Sequence, residues 1–352
     1  MNWQLLFNNY FHLVNKFLPQ SQQKPVIGFD IGTSSVKAVE IRTTQEGSFE
    51  IQRWALEPIE GLDTKAALKR LFSRMNIKDQ VPVTSVSGKG TLIRYIDMPR
   101  LTIEELRKSI VYEIDKYFPF DPQTIYTDCY IIDPKDKEKK MSVLVVATKK
   151  ELVDERIKLF KEVGLELTCV TTNSIATANA FERLVKVQDP AGARAILDIG
   201  GSVSNLMILD KNHSPRFTRD IFIGSQDISN QISNILGVNL AKAEELKRSP
   251  GDKLNEIVQA SEASVENLIG EIHLSFDYFI TEKNLPVDDL FLVGGGALFK
   301  GIEKTFEKSL NMPVKIWNPL TDLRLAPEVA SSDINSFSSQ LGVAIGLALT
   351  KV

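Results

Sequence analysis

The chain has 352 residues, of which 43% are hydrophobic and 25% charged, and its formal net charge is −3. These values predict a globular protein of two domains, and the charge gives no general attraction to nucleic acid. Two cysteines, Cys129 and Cys169, provide neither a disulfide framework nor a CxxC metal pair, so we expect a reducing compartment.

The first eighteen residues have an amphipathic pattern. Aromatic and aliphatic residues recur there at helical spacing, from Trp3 to Leu18. The segment lacks the features of a secretory signal, and the chain has no run of eighteen apolar residues that could cross a membrane. Two interpretations remain open: a helix docked on the protein's own surface, or one lying on a membrane or partner helix. A glutamine-rich linker follows, so residues 1–23 are predicted to be a helix and linker.

Residues 26–41, VIGFDIGTSSVKAVEI, predict two strands joined by a tight turn. Asp30 ends the first strand, Gly32 lets the backbone come close, and Thr33, Ser34 and Ser35 supply hydroxyl groups. An acid, a glycine and hydroxyls in this order suit a magnesium–phosphate group. The pattern is weak alone, because many tight hairpins read Asp-x-Gly-Ser.

The next elements are a third strand up to residue 56, a helix over 64–75 and a strand over 81–86. The following sequence, Gly88-Lys89-Gly90-Thr91, resembles a P-loop but does not fit one. Val83 stands in place of the first glycine, and Gly90 follows the lysine where Ser or Thr is required. We therefore predict a turn.

Residues 93–167 predict a compact α+β piece inserted into the first domain. A strand ends at Met98, a helix covers 102–117, and Phe118-Pro119 stops it. Strands over 125–132 and 141–148 follow, and then a helix over 149–163.

The motif recurs 168 positions later, in residues 195–209, AILDIGGSVSNLMIL. This second copy has the same order of acid, glycine and hydroxyl, with Asp198, Gly200, Gly201 and Ser202. An internal repeat is far more informative than either copy alone. It predicts two equivalent hairpins that face each other.

Helices are predicted over 173–186, 225–236, 240–248, about 253–283 and 300–310, and a buried strand over 290–293. Gly294, Gly295 and Gly296 form a turn after that strand, where the backbone could lie flat against a planar ring. Glu244 and Lys247 lie three residues apart on one helical face, which suits ribose and base contacts or a plain surface ion pair. Residues 337–350 predict a helix of small residues, made for close contact.

These features together resemble the actin-like ATPase superfamily from about residue 24 onward. Within it the chain is most similar to the PilM family of type IV pilus assembly, through the form of the first motif, the insertion and the length. The resemblance implies an α/β fold of two actin-like (ribonuclease H-like) halves with an inserted small α+β subdomain. The first half would comprise residues 24–92, 168–190 and 335–352, the insertion 93–167, and the second half 191–334.

The resemblance also implies an ATP site with Mg²⁺. The residues implied to bind phosphate are Asp30, Gly32, Thr33, Ser34, Ser35, Lys37, Asp198, Gly200, Gly201 and Ser202, with Asp30 and Asp198 holding Mg²⁺ through water. Those implied to surround the adenosine are Glu244, Lys247, Gly294, Gly295 and Gly296. Strand alternation alone leaves open whether Lys37 faces this site or solvent.

The family resemblance further implies a partner and a location. A groove beside the insertion would receive the N-terminal cytoplasmic tail of a PilN-like inner-membrane protein. Other pilus platform proteins and the pilus motor ATPase are further candidate partners, and no nucleic acid is expected. The protein would then be cytoplasmic and peripheral at the inner membrane through its partners, and also through residues 1–18 if their helix is the membrane-bound one of the two interpretations, and would act in twitching motility.

Two departures from the family pattern bear on catalysis. Thr171-Thr172-Asn173-Ser174 stands where Asp-Val-Glu-Pro is usual, which removes two carboxylates and leaves no general base. Asn205 stands where threonine is common. We therefore expect ATP binding with weak or absent ATPase activity, and assign no catalytic residue. The alternatives are an FtsA-like cell-division protein, a small-molecule kinase of the same superfamily, or a filament-forming ATPase.

Overall fold

The computed structural model describes residues 24–44, 46–59, 63–132, 140–185 and 192–350. The predicted N-terminal helix and its linker lie outside these ranges. The strands are β1 (Val26–Ile31), β2 (Ser35–Thr43), β3 (Phe49–Pro58), β4 (Val81–Val86), β5 (Thr91–Pro99), β6 (Ile125–Ile131), β7 (Lys140–Lys149), β8 (Cys169–Thr172), β9 (Ala193–Ile199), β10 (Ser204–Leu209), β11 (Pro215–Ile221), β12 (Val287–Val293), β13 (Val314–Ile316) and β14 (Arg324–Leu325).

The helices largely follow the predicted periodicity. They are α1 (Thr64–Met75), α2 (Ile103–Tyr117), α3 (Lys150–Glu162), α4 (Asn173–Leu184), α5 (Ser225–Leu236), α6 (Leu240–Arg248), α7 (Leu254–Lys283), α8 (Ile302–Leu310), α9 (Pro327–Ala330) and α10 (Gly342–Ala348). Short 3-10 segments occur at Pro122–Thr124, Gly251–Lys253, Gly295–Leu298 and Ile334–Leu341.

The described residues form three sheets, two of which share a five-strand topology, and the first of these two has β14 in addition, parallel to β3. The first runs β14-β3-β2-β1-β4-β8 and the second β11-β10-β9-β12-β13. In each, two antiparallel hairpin steps are followed by two parallel steps. The central hairpins β1–β2 and β9–β10 carry the two repeated motifs at equivalent positions. The internal repeat in the sequence is therefore a repeat of the fold.

Helices α4 and α10 lie between these two sheets. One hydrophobic cluster contains Ile41 of the first sheet, Phe181 of α4, Met207 of the second sheet and Ile345 of α10. The contact is close because small residues line it. A Cβ at Gly346 would overlap the carbonyl of Ala176, so the two helix backbones nearly touch.

The last helix is shorter than predicted. The α-helix begins at Gly342, and the segment before it, Ile334–Leu341, is a 3-10 segment. The 3-10 segment makes a tertiary hydrogen bond, in which the carbonyl of Ser339 accepts from Gly294 N–H at 2.8 Å. This bond ties the segment before α10 to the glycine turn.

The third sheet, β5-β7-β6, is entirely antiparallel and packs against α2. Helix α3, which we expected to belong to the same piece, contacts the insertion through the hydrogen bond of Asp154 with Tyr126 but packs its apolar face on the first half. Its Phe160 contacts Phe29 of β1 at a centroid distance of 5.2 Å and lies in the core of the first half. Packing therefore joins α3 to the first half, although the predicted insertion extends to residue 167. The reason is that Phe160 finds an aromatic core there.

The insertion also rests on the second half. Strand β5 packs against β11, and Gly88 N–H, just before β5, donates to Asp220 Oδ2 at 2.9 Å. Beside it, the Lys89 ammonium lies 5.5 Å from the centroid of the Phe222 ring. The chain thus enters the insertion at a point where the first half touches the second.

Replacing Gly346 by Ala should destabilise the protein, because the added methyl has no room against Ala176. We expect a loss of about 1–3 kcal/mol in the free energy of unfolding. Gly270 in α7 is the matched control, since a Cβ there meets nothing within 4 Å. Gly270→Ala should raise stability by about 1 kcal/mol through helix propensity. Thermal unfolding of both variants measures the difference, and equal shifts would contradict the close helix contact.

Candidate functional site

The first motif forms a turn that we call the first jaw, residues 30–37. Gly32 N–H donates to the carbonyl of Ser35 at 3.1 Å and closes the turn. Asp30 lies opposite Lys37 in the strand register, and the Lys37 ammonium lies 3.0 Å from Asp30 Oδ2. The side chain of Lys37 is only 13% exposed, so it faces the site and not solvent. Strand alternation alone left open whether Lys37 faces the site or solvent, and this ion pair shows that it faces Asp30.

The second motif forms the second jaw, residues 198–205, with the same backbone turn. Gly200 N–H donates to the carbonyl of Val203 at 3.1 Å. The position equivalent to Lys37 is Asn205, which lies opposite Asp198. Its amide turns away and donates to Asp220 Oδ1 at 2.7 Å. Asp198 therefore has no lysine of its own.

The two jaws touch. A Cβ at Gly201 would overlap Thr33 Oγ1 and would lie 3.0 Å from Ser34 Oγ, so hydroxyls of the first jaw face backbone of the second. Only glycine allows this approach. The predicted convergence of the two hairpins is present in the structure.

Two carboxylates converge where the jaws meet. The pKa of Asp198 is raised to about 7, mainly by burial and then by the charge of Asp30, while Lys37 acts in the opposite direction. Two acids thus approach each other here, and Lys37 is paired with one of them, Asp30, at 3.0 Å. The donor set fits a hard cation such as Mg²⁺. The described residues contain no group of three or more His, Cys, Asp or Glu that could hold a metal.

Lys247 and Glu244 lie behind the second jaw. The Lys247 ammonium contacts Glu244 at 2.9 Å and donates to the carbonyl and hydroxyl of Ser225 at 2.9 and 2.7 Å. Its side chain is only 3% exposed, and burial lowers its pKa while Glu244 opposes that shift. The pair is not a plain surface ion pair, because one partner is buried.

The glycine turn lies against the base of the second jaw. Gly294 has φ +91°, and a Cβ there would overlap Asp198 Oδ1. A Cβ at Gly296 would overlap Ile199 in the same way. Lys300 N–H, just beyond the turn, donates to the carbonyl of Lys247 at 3.0 Å. The structure thus brings all the predicted site residues into one connected region.

Ser225 is a site residue that our sequence reasoning missed. Its N–H donates to the carbonyl of Gly200, and Gln226 N–H donates to that of Gly201, both at 2.8 Å. The amino end of α5 therefore supports the second jaw and holds Lys247. The strand–Gly–Ser–helix junction at residues 221–225 was the available signal.

The entry to α4 has no acid facing the jaws. Thr172 caps the helix by accepting from Ile175 N–H, and Asn173 Oδ1 accepts from Ser85 Oγ at 2.7 Å. The side chains at this entry are thus engaged in hydrogen bonds between β4, β8 and α4. The departure seen in the sequence is therefore a local arrangement of hydroxyl and amide side chains.

Replacing Asp198 by Asn should remove the cost of holding a second carboxylate beside Asp30. Since the Asp198 pKa is higher in the folded protein, the folded state binds more protons than the unfolded chain between about pH 4 and pH 7. The wild-type free energy of unfolding therefore falls as pH rises through this window. We expect the Tm of the variant minus that of the wild type to grow from about pH 4 to about pH 8, measured in chelator without nucleotide.

The control for this measurement is Asp252→Asn, at an exposed carboxyl. Its Tm difference from the wild type should not grow with pH. A constant difference for Asp198→Asn as well would contradict the proposed charge repulsion.

Comparison with known proteins identifies the family. Residues 28–352 match the family described as Type IV pilus assembly protein PilM. A solved structure described as the PilM-PilN type IV pilus biogenesis complex is similar with a TM-score of 0.80 and 23% identity, covering 92% of this chain and 97% of that chain. The ethanolamine utilization protein EutJ from Carboxydothermus hydrogenoformans gives a TM-score of 0.52 at 16% identity, covering 96% of this chain and 94% of that one.

A curated relative is the cell division protein FtsA of Helicobacter pylori (strain J99). It is 27% identical over 212 residues, which are 50% of this chain and 41% of that protein. The chain thus spans less than half the length of that relative, and the cell-division alternative is not favoured. Among the described residues, no helix is both long and apolar enough to cross a membrane.

The predicted α/β fold of two actin-like halves is confirmed by the similar structures and by the repeated sheets. Because the family match covers nearly all of the sequence from residue 28 onward, this chain belongs to the PilM family of type IV pilus assembly proteins.

Proposed function

We propose that the chain is an ATP-binding scaffold of the type IV pilus assembly platform at the inner membrane. The observation that carries this proposal is the contact of the two jaws, which brings Asp30, Lys37 and Asp198 together. Backbone amides, hydroxyls and one lysine around two acids form a site for a phosphate chain with its cation. Lys247, Glu244 and the glycine turn lie beside the second jaw, where adenosine would follow the phosphates.

Each group has a definite task in this proposal. Lys37 and the hydroxyls of the first jaw hold phosphate oxygens from one side, and the turn at Gly200 and Gly201 holds them from the other. Mg²⁺ held through water by Asp30 and Asp198 would neutralise charge shared by the acids and the phosphates. Lys247, fixed by Ser225 and Glu244, orients the nucleoside.

The nucleotide would set the angle between the two halves. One jaw belongs to the first sheet and the other to the second, so a ligand held by both ties the sheets together. Helices α4 and α10 lie between the sheets and provide the axis about which they would move. The free energy of nucleotide binding would then favour one angle between the two halves, as expected of a scaffold.

Hydrolysis is proposed to be slow or absent. Activating a water for attack on a phosphate requires a positioned acceptor, and residues 171–174 contain no carboxylate. The Asn173 side-chain amide at this entry is already engaged, because its oxygen accepts a hydrogen bond from Ser85. The protein would hold ATP as a structural ligand.

The insertion offers a surface for a partner peptide. Strand β6 is an edge of the third sheet, and its Tyr126 and Tyr130 are 46% and 63% exposed. On α2, Val111 and Tyr112 are 60% and 86% exposed. An edge strand beside exposed aromatic residues suits an extended segment. We propose the cytoplasmic tail of a PilN-like protein as its ligand, which would place the chain in the cytoplasm, peripheral at the inner membrane.

Purified protein should bind radiolabelled ATP saturably in the presence of Mg²⁺, and phosphate release should stay below about one per second. Lys37→Ala should weaken binding at least about tenfold, because a charge-assisted contact to phosphate is lost. Lys89→Ala, in the P-loop-like turn, is the matched control and should bind as the wild type does. Each measurement is repeated with a synthetic PilN-type tail peptide, which should bind the protein and change its ATP affinity.

Two results would refute the scaffold. Phosphorylation of a small acceptor would show a kinase, and turnover above about one per second would show an efficient ATPase. Loss of ATP binding in Lys89→Ala but not in Lys37→Ala would place the phosphates elsewhere.

A further inference from the structure

Arg156 on α3 has a buried nitrogen atom without a partner. Its Nη1 is inaccessible to solvent and makes no hydrogen bond within the described part of the chain. A guanidinium remains charged under ordinary conditions and carries five N–H donors. Burying one of these donors unpaired is costly, so such an atom in a native protein requires an explanation.

The position of Arg156 is fixed by its neighbours one helical turn away on either side. Leu152 packs on Gly90, because a Cβ at Gly90 would overlap its side chain. Phe160 packs on Phe29, the residue before Asp30. Residues four apart share a helix face, so Arg156 faces the first sheet between these two contacts, on the side where β1 ends at the first jaw.

Among the described residues, Asp30 is the charged group that acts on the Arg156 guanidinium. Burial lowers the pKa of the guanidinium below its usual range, and Asp30 opposes this shift. The Asp30 carboxylate, however, is already paired with Lys37 at 3.0 Å. Arg156 therefore lies within the field of the first jaw and has an unused donor. Anions, above all phosphates, are the ligands that arginine binds most strongly in such settings.

We infer that Arg156 is a further phosphate ligand and contacts the terminal phosphate of the bound nucleotide. This inference rests on the proposed function. In the proposed function the nucleoside lies beside Lys247 in the second half. The phosphate chain would run from there past Gly201, and its last phosphate would lie at the first jaw. Arg156 and Asp30 lie at that far end, where the γ-phosphate of ATP would be. ADP lacks this phosphate.

This assignment gives α3 a role in specificity. The helix follows β7, the central strand of the insertion, without an intervening loop, since β7 ends at Lys149 and α3 begins at Lys150. A terminal phosphate held by Arg156 would thus fix the element that leads directly into the insertion. ATP and ADP would differ in how firmly they hold this element.

The test compares Arg156→Met, Arg156→Lys and the matched control Lys158→Met, which removes an exposed cation from the same helix. Affinities for Mg-ATP and Mg-ADP are measured by calorimetry, and Tm without nucleotide by thermal unfolding. Arg156→Met should weaken ATP binding by about tenfold or more while changing ADP binding by less than about threefold. Arg156→Lys should recover part of the ATP affinity, and Lys158→Met should match the wild type.

Thermal unfolding separates a ligand contact from a structural role. Removing an unpaired buried charge should leave the nucleotide-free Tm of Arg156→Met equal to or above that of the wild type. A lowered Tm with an unchanged ratio of ATP to ADP affinity would overturn the inference, as would equal losses for both nucleotides. If Arg156→Met does not fold, the ratio measured for Arg156→Lys decides the question.

The result for the wild type distinguishes this inference from the proposed function. Wild-type protein that binds neither nucleotide would refute both. Wild-type protein that binds ATP normally, with Arg156 variants that keep the same preference, would refute the role of Arg156 alone.

Discussion

The approach of two carboxylates, Asp30 and Asp198, is the constraint on which the structure depends. Each ends the first strand of a hairpin, and each hairpin is the centre of its own sheet. Burial and the neighbouring charge raise the pKa of Asp198 to about 7. Lys37 offsets part of this repulsion, and the second jaw has Asn205 instead. The two halves therefore meet at two close carboxylates, of which only Asp30 has a lysine opposite it in the strand register.

Small residues make this approach possible. Gly201 lets backbone come against the hydroxyls of the first jaw, and Gly294 lies directly against Asp198. Between the sheets, Gly346 places α10 against α4 with no side chain between them. The glycines in the motifs thus have two distinct functions. Those at the turns admit a facing loop or side chain, whereas Gly346 in the helix sets the spacing of α10 and α4.

Much of the fold followed from periodicity and from the repeat. The hairpin at residues 26–41 and its copy at 195–209 predicted two equivalent sheets, because alternation and turn residues are local signals. The parts that differed depend on distant contacts. The 3-10 segment before α10 contains the hydrogen bond from Gly294 to Ser339, and α3 packs where Phe160 meets Phe29. Asp220 carried no motif, since its hydrogen bond joins it to Gly88, far away in sequence, and Arg156 carried none either.

The way the insertion is attached has a mechanical consequence. It is joined to the first half through β4 and α3, and it rests on the second half where β5 packs on β11. The hydrogen bond from Gly88 to Asp220 lies at its root. Because the insertion contacts both halves, any change in the angle between the halves would have to be accommodated at its root, at the Gly88–Asp220 hydrogen bond and at the contact of β5 with β11.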